Sequence, residues 1–260
     1  AVIVNVMRGG PGLGNISASQ ADYFQATKGG GHGDYRLIVL APETVQEMFD
    51  LTYKAFELAD QYRMQVMILA DGILGQMMEP LVIDEEKGPV EKVEKRWALT
   101  GAKGRNPQKI CSLFLGDGVL ENLNLELQKK YREIEKSEVM AEIYNPGNND
   151  VLFVAYGTMS RIAKTCIDKL KEKGINASLV RPITLWPFPY KEVKESAIKT
   201  KTVFVLEMSA GQMLEDVRLA IFDDDKINFI GRMGGEIPSE KEILEQVIKT
   251  LALRHREGTK

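Results

Sequence analysis

The strongest constraint on this chain is a series of short, almost wholly apolar runs, each followed by a segment with helical spacing. Leu37-Ile38-Val39-Leu40 carries no polar residue on either face, as suits a strand of a parallel sheet covered on both sides. Residues 2–7, Val66–Ala70, Val151–Ala155, Ala177–Val180, Thr202–Leu206 and Ile227–Ile230 read as further strands, the first of them as a buried one. Between them lie helical patterns with start and stop signals. Pro42 and Thr44-x-x-Glu47 open a helix whose apolar face is predicted to be Val45, Met48, Phe49, Thr52, Ala55, Phe56 and Ala59. A helix after Gly157 ends at Gly174, another spans Gln212–Phe222, and Ser239-x-x-Glu242 caps a last one running to about Leu253. Alternation of this kind predicts an α/β fold with parallel or mostly parallel sheets.

The stretch 81–148 breaks the pattern. Charges crowd Asp84–Arg96, and only the amphipathic helix Leu120–Val139 is regular, so the stretch is expected to be a connector that wraps a neighbour. The turn cluster Asn145-Pro146-Gly147-Asn148-Asn149 marks the boundary to a second domain. The first residue is Ala1 and a strand begins at once, so upstream residues are expected to belong to the same fold.

Composition removes several function classes. Lys and Arg number 34 against 37 Asp and Glu, a net charge of -3, which disfavours a generic nucleic-acid binder. No apolar run approaches the roughly 18 residues of a membrane span. Two cysteines, Cys111 and Cys166, cannot hold an iron–sulfur cluster or a four-ligand zinc within this chain, nor build a disulfide scaffold. A reducing cytoplasm is the expected setting.

Few residues carry a chemical signal. Arg8-Gly9-Gly10-Pro11-Gly12-Leu13-Gly14 follows a strand directly, where open α/β sheets collect ligands. Glycines let backbone N–H groups approach an anion, and Arg8 adds a planar fork for a carboxylate or phosphate. The other reading is a flexible turn with a solvated arginine. The spacing is neither a P-loop nor a good dinucleotide fingerprint. His32, set among glycines, is either a proton carrier or anion donor, or a plain loop residue; His255 lies in a polar tail. Gly116-Asp117-Gly118 followed by Asn145 matches the pattern that holds Mg²⁺ and a diphosphate in thiamine enzymes, although a turn before a helix explains it better. Leu185-Trp186-Pro187-Phe188-Pro189 either anchors on a partner subunit or folds back on its own domain. Met64, Met67, Met77 and Met78 read as packing, and Cys166 as a buried helix residue.

Several ordered segments together carry more. They are Val4-Asn5-Val6-Met7-Arg8-Gly9-Gly10-Pro11, Gln20-Ala21-Asp22-Tyr23-Phe24, Gly31-His32-Gly33-Asp34-Tyr35, Ala70-Asp71-Gly72 with Gly75-Gln76-Met77-Met78-Glu79-Pro80, Trp97-Ala98-Leu99-Thr100-Gly101-Ala102, and Arg181-Pro182-Ile183-Thr184-Leu185-Trp186-Pro187. In these the chain resembles the alpha subunit of 2-oxoacid:ferredoxin oxidoreductases, most closely the 2-oxoisovalerate and 2-oxoglutarate branch. The resemblance implies the C-terminal part of a pyrimidine-type thiamine-binding domain over 1–80, a connector over 81–148 and a transketolase C-terminal-like domain over 149–256. It implies oxidative decarboxylation of a 2-oxoacid on thiamine diphosphate, with electrons passing through iron–sulfur clusters to ferredoxin and acyl-CoA formed from CoA. Arg8 would grip the substrate carboxylate with Gly9 and Gly10 beside it, and Pro11 and His32 would belong to an active-site loop. The connector matches a family segment without a cofactor role. The family's Tyr-Pro-Ile-Thr-Pro-like motif and its thiamine-activating glutamate do not occur in these 260 residues. The resemblance places the diphosphate and Mg²⁺ mostly on a beta subunit and the clusters on iron–sulfur or gamma subunits. This chain would hold no metal and would be inactive alone. A pyruvate-specific enzyme and a non-catalytic α/β assembly subunit are the alternatives, with neither nucleic acid nor membrane as a partner.

Overall fold

Two sheets, one mixed and one nearly all parallel, meet at the carboxyl ends of their strands. The computed structural model describes residues 1–84 and 94–257. Most of the charge-crowded stretch Asp84–Arg96 and the side chain of His255 lie outside the described residues. The first sheet takes β1 (Val2–Met7), β2 (Ile38–Leu40) and β3 (Val66–Asp71) in the order β1-β3-β2, all parallel. The pairing runs from Val2↔Val66 to Met7↔Asp71, so β1 and β3 end flush. The short helix α1 (Tyr23–Thr27) and the long helix α2 (Val45–Tyr62) connect them.

After α3 (Val119–Ser137) the chain builds the second sheet from β4 (Ala141–Tyr144), β5 (Asn149–Val154) and β6 (Ala177–Pro182). It then crosses back with β7 (Thr184–Trp186), which pairs antiparallel to β2 in the first sheet. Helix α5 (Tyr190–Ile198), β8 (Thr200–Glu207), α6 (Gln212–Ile221), β9 (Ile227–Gly231) and α7 (Glu240–Glu257) follow, with α4 (Thr158–Glu172) between β5 and β6. The second sheet has the order β4-β6-β5-β8-β9, antiparallel only at β4. Val151, Phe153, Phe204 and Leu206 are buried between its helices, as all-apolar strands require.

Three expectations change, and one open alternative is decided. β1 was expected to be buried, yet among the described residues it is an edge strand paired with β3 alone, and Ile3, Val4 and Val6 remain exposed. Helix α2 turns Leu51, Ala55, Leu58 and Ala59 to the core, while Phe49 and Phe56 stay exposed. The helix carries two apolar stripes, and the sheet takes the one spaced four, three and one. Met64 and Met67 pack on the core as predicted, but Met78 is 97% exposed. The Trp186–Phe188 segment folds back: Trp186 meets Tyr131 of α3 edge to face at 5.7 Å, and Phe188 is buried.

Buried charges join the two halves. Arg181 of β6 donates to both carboxylate oxygens of Glu47 at 2.7 and 2.8 Å and to Glu142 of β4 at 2.7 Å. Lys164 of α4 bridges Glu43 and Glu142. Thr44 caps α2 as predicted by accepting from the Glu47 N–H, but the Glu47 carboxylate reaches Glu43 N–H and Arg181 instead of completing a box on Thr44. Burial pushes the Glu142 carboxyl up, but the hydrogen bond from Lys164 and the Arg181 charge outweigh it and hold it below the ordinary value near 4.5. A depressed folded value stabilises above the unfolded value and ceases to do so as pH falls through the folded one. Glu142→Gln is therefore expected to lower the melting temperature at neutral pH and to converge on the wild type well below pH 4.5, which a pH series of thermal melts measures.

Cys166 sits inside the second core, where burial and then the Glu240 charge push its thiol up to about 12. Cys111 is exposed. A maleimide at neutral pH is expected to label Cys111 and to spare Cys166 until the chain unfolds, as intact-mass measurement shows; labelling of Cys166 in the folded chain would contradict the packing.

Candidate active site

Arg8 stands one residue past the end of β1, level with the end of β3. It is exposed and pairs with Ala18 in an isolated antiparallel bridge, which closes the neck of a loop over 8–18. Inside the neck Gly9 N–H donates to the Ser17 carbonyl and Asn15 N–H to the Gly9 carbonyl, both at 2.9 Å. Gly14, at φ +55°, faces the Gly9 carbonyl so closely that a Cβ would fall 1.7 Å from its oxygen. Only glycine makes that turn.

The strand ends of the second sheet hold this loop. The Asn15 side-chain NH₂ donates to the Gly234 carbonyl at 2.7 Å, beyond the end of β9. Gln20 is fully buried; its side chain donates to the Tyr156 carbonyl after β5 and accepts from Met208 N–H after β8. Asp71, at the end of β3, accepts from the Thr158 N–H and hydroxyl at 2.9 and 2.7 Å and also from Ile73 and Leu74 N–H. The carboxyl ends of both sheets thus face each other across one crevice, with Arg8 on its rim. That is where open α/β sheets place ligands.

Glu207 closes the far side. It is fully buried and caps α6 by accepting from Met213 and Leu214 N–H and from the Ser209 hydroxyl. Burial pushes its carboxyl up against the opposing pull of those donors. Asp216 of α6 is also buried and takes the hydroxyls of Tyr23 and Tyr190 and the Lys28 ammonium, each at 2.6 Å. These carboxylates are fully engaged in holding the seam.

Among the predicted site residues, Arg8, Gly9, Gly10 and Pro11 lie together on the one loop, with Gly9 buried. His32 lies on a separate loop, exposed, at φ +58°. No hydrogen bond or ion pair among the described residues ties it to the Arg8 loop. Gln20 and Asp71 stood in the sequence only as motif residues without a role, and Asn15 and Gly235 were not singled out as site residues. Their partners lie far along the chain, 219 positions away for Asn15, and no local pattern signals such a pairing.

A family model described as "Pyruvate flavodoxin/ferredoxin oxidoreductase, thiamine diP-bdg" matches residues 1–145. The chain belongs to the 2-oxoacid:ferredoxin oxidoreductase family. A second model of these oxidoreductases, pyruvate:ferredoxin oxidoreductase core domain II, matches residues 149–243. Among its oxidoreductase relatives, the ketoisovalerate oxidoreductase subunit VorB of Methanothermobacter marburgensis is 47% identical over 247 residues, 95% of this chain and 70% of the relative. The 2-oxoglutarate synthase subunit KorA of Methanothermobacter thermautotrophicus is 30% identical, over 95% of this chain and 73% of its own. The solved 2-oxoglutarate:ferredoxin oxidoreductase of Magnetococcus marinus shares the fold at TM-score 0.81 and 23% identity, over 95% of this chain and 48% of that one.

The first family model names thiamine diphosphate, and the Gly116-Asp117-Gly118 and Asn145 pattern is where the sequence offered donors for its diphosphate and a cation. Asp117 is exposed, and Gly118 opens α3 at φ +72° without a side-chain cap. Asn145, at φ +52°, gives its NH₂ to the Ala177 carbonyl at 2.6 Å to hold a turn of the second sheet. Among the described residues no three His, Cys, Asp or Glu side chains gather to hold a metal ion. The donor set described here does not fit the diphosphate and its metal, and Gly116-Asp117-Gly118 is a helix start. No helix among the described residues is long and apolar enough to cross a membrane.

Proposed function

We propose that this chain is the substrate-side part of the alpha subunit of a branched-chain 2-oxoacid:ferredoxin oxidoreductase. Arg8 holds the 2-oxoacid carboxylate by a bidentate, charge-assisted contact, with Gly9, Gly10 and Pro11 beside it and His32 on a neighbouring loop of the same site. The observation that carries the reading is an exposed arginine on a loop fixed from two domains, at the crevice where both sheets end. The same loop exposes Leu13 and Ile16 and holds no second cation over residues 9–18. Apolar side chains suit a branched-chain substrate, whereas a second carboxylate would call for another positive group. The identities agree in rank: 47% to a ketoisovalerate subunit, against 30–37% to 2-oxoglutarate subunits and 24–25% to pyruvate subunits.

In this reading a beta subunit supplies most of the contacts to thiamine diphosphate and Mg²⁺. Iron–sulfur and gamma subunits carry electrons to ferredoxin, and CoA takes the acyl group. Residues 1–80 form the substrate-facing unit, 81–148 the connector and 149–256 the assembly unit, all in the cytoplasm. The chain alone is inactive.

The test is a substrate series on the intact complex. kcat/KM for 2-oxoisovalerate is expected to exceed that for pyruvate and 2-oxoglutarate by about 10-fold or more, the usual worth of an apolar side-chain pocket. A preference for 2-oxoglutarate would overturn the branched-chain assignment.

A further inference from the structure

We propose that Asn15, backed by Gly234 and Gly235 of the second domain, is a positioning residue that sets where Arg8 stands. The inference rests on the carboxylate role of Arg8 and deepens it: the grip is built by both domains, not by the glycine loop alone.

The neck bonds between Arg8 and Ala18 and between Gly9 and Ser17 close the loop but do not orient it against the rest of the crevice. Asn15 does both. Its N–H holds the Gly9 carbonyl, its side-chain oxygen accepts from Ser17 N–H at 3.0 Å, and its NH₂ reaches the Gly234 carbonyl at 2.7 Å. Backbone packs on backbone around it. A Cβ on Gly9 would lie 2.5 Å from the Asn15 side-chain oxygen and 3.0 Å from the Gly234 carbonyl carbon. A Cβ on Gly235, at φ +94°, would lie 2.4 Å from the Ser17 Cβ. Glycine-rich loops are otherwise compliant, and a shift of about 1 Å at a substrate-positioning group can cost on the order of 100-fold in rate.

Asn15→Asp separates the two jobs. The aspartate keeps an acceptor for Ser17 N–H but sets a charged oxygen against the Gly234 carbonyl, so the Asn15–Gly234 bond is lost and a negative charge is added, a charge that Gly235→Ala does not bring. Gly235→Ala attacks the same contact from the other side. The experiment compares these two, Arg8→Ala and the double variant Arg8→Ala/Asn15→Asp in the intact complex, with subunit composition and melting temperature checked for each. Asn15→Asp and Gly235→Ala are expected to lower kcat/KM for the 2-oxoacid by about 10- to 100-fold, mainly through its KM, and to leave the KM for CoA unchanged. Asn15→Asp is expected to add nothing once Arg8 is gone, because its effect passes through Arg8. An equal further loss in the Arg8→Ala background overturns the positioning role. So does a rate within about twofold of wild type for both Asn15→Asp and Gly235→Ala while Arg8→Ala is impaired. Wild-type rates in Arg8→Ala itself overturn the carboxylate role, and the inference built on it falls too.

Discussion

Arg8→Ala in the assembled complex is expected to lower kcat/KM for the 2-oxoacid by about 100-fold or more, with the subunits still bound to one another. Arg8 is exposed and lies past the last residue pairing of β1 with β3, so among the described residues its side chain is no part of the core. Its loss should therefore spare folding. What disappears is a planar fork that fixes a carboxylate in one orientation, and a water-filled gap does not replace it. Arg8→Lys keeps the charge without the fork, so its rate should fall between the two. Steady-state kinetics on the three proteins measures this. Equal rates for wild type and Arg8→Ala would move the chain to the class of non-catalytic assembly subunits.

Arg181→Met is expected to act on stability instead, lowering it by about 3–5 kcal/mol, the usual cost of breaking a buried ion pair from one side. The Arg181 side chain is only 3% exposed and balances Glu43, Glu47 and Glu142 together. Burial opposes its charge, yet the hydrogen bonds to Glu47 and the nearby carboxylates hold the guanidinium pKa above its ordinary value. Methionine fills much of the volume but strands Glu47 and leaves Glu43 and Glu142 with Lys164 as their remaining shared cation. Adding Glu47→Gln should recover part of the loss, because it removes the stranded charge. Urea titrations of the two variants measure both effects. A loss below about 1 kcal/mol for Arg181→Met would show that the network is replaceable by packing.

Much of the fold was legible in the sequence because strands and helices announce themselves locally. The runs at 38–40, 66–71 and 200–207 are strands, and Ser239 with Glu242 caps α7 by reciprocal hydrogen bonds. The two antiparallel strands were not legible. β4 and β7 are four and three residues long, too short for a period; β4 exists because the β6 edge of its own sheet accepts it, and β7 because the β2 edge of the other sheet does. The α2 face was misread because two apolar stripes coexist on one helix and only the tertiary packing chooses between them. At the site, Arg8 stood out as a cation among glycines. Asn15, Gln20 and Asp71 did not, since each acts on a partner that chain order places more than 80 residues away.

The most direct measurement is dye reduction by the complex captured through this chain, supplied with 2-oxoisovalerate and CoA. The account predicts reduction that requires both compounds, from a preparation containing thiamine diphosphate and iron in its other subunits. Recovery of the chain with its partners but with no reduction on any 2-oxoacid would contradict it.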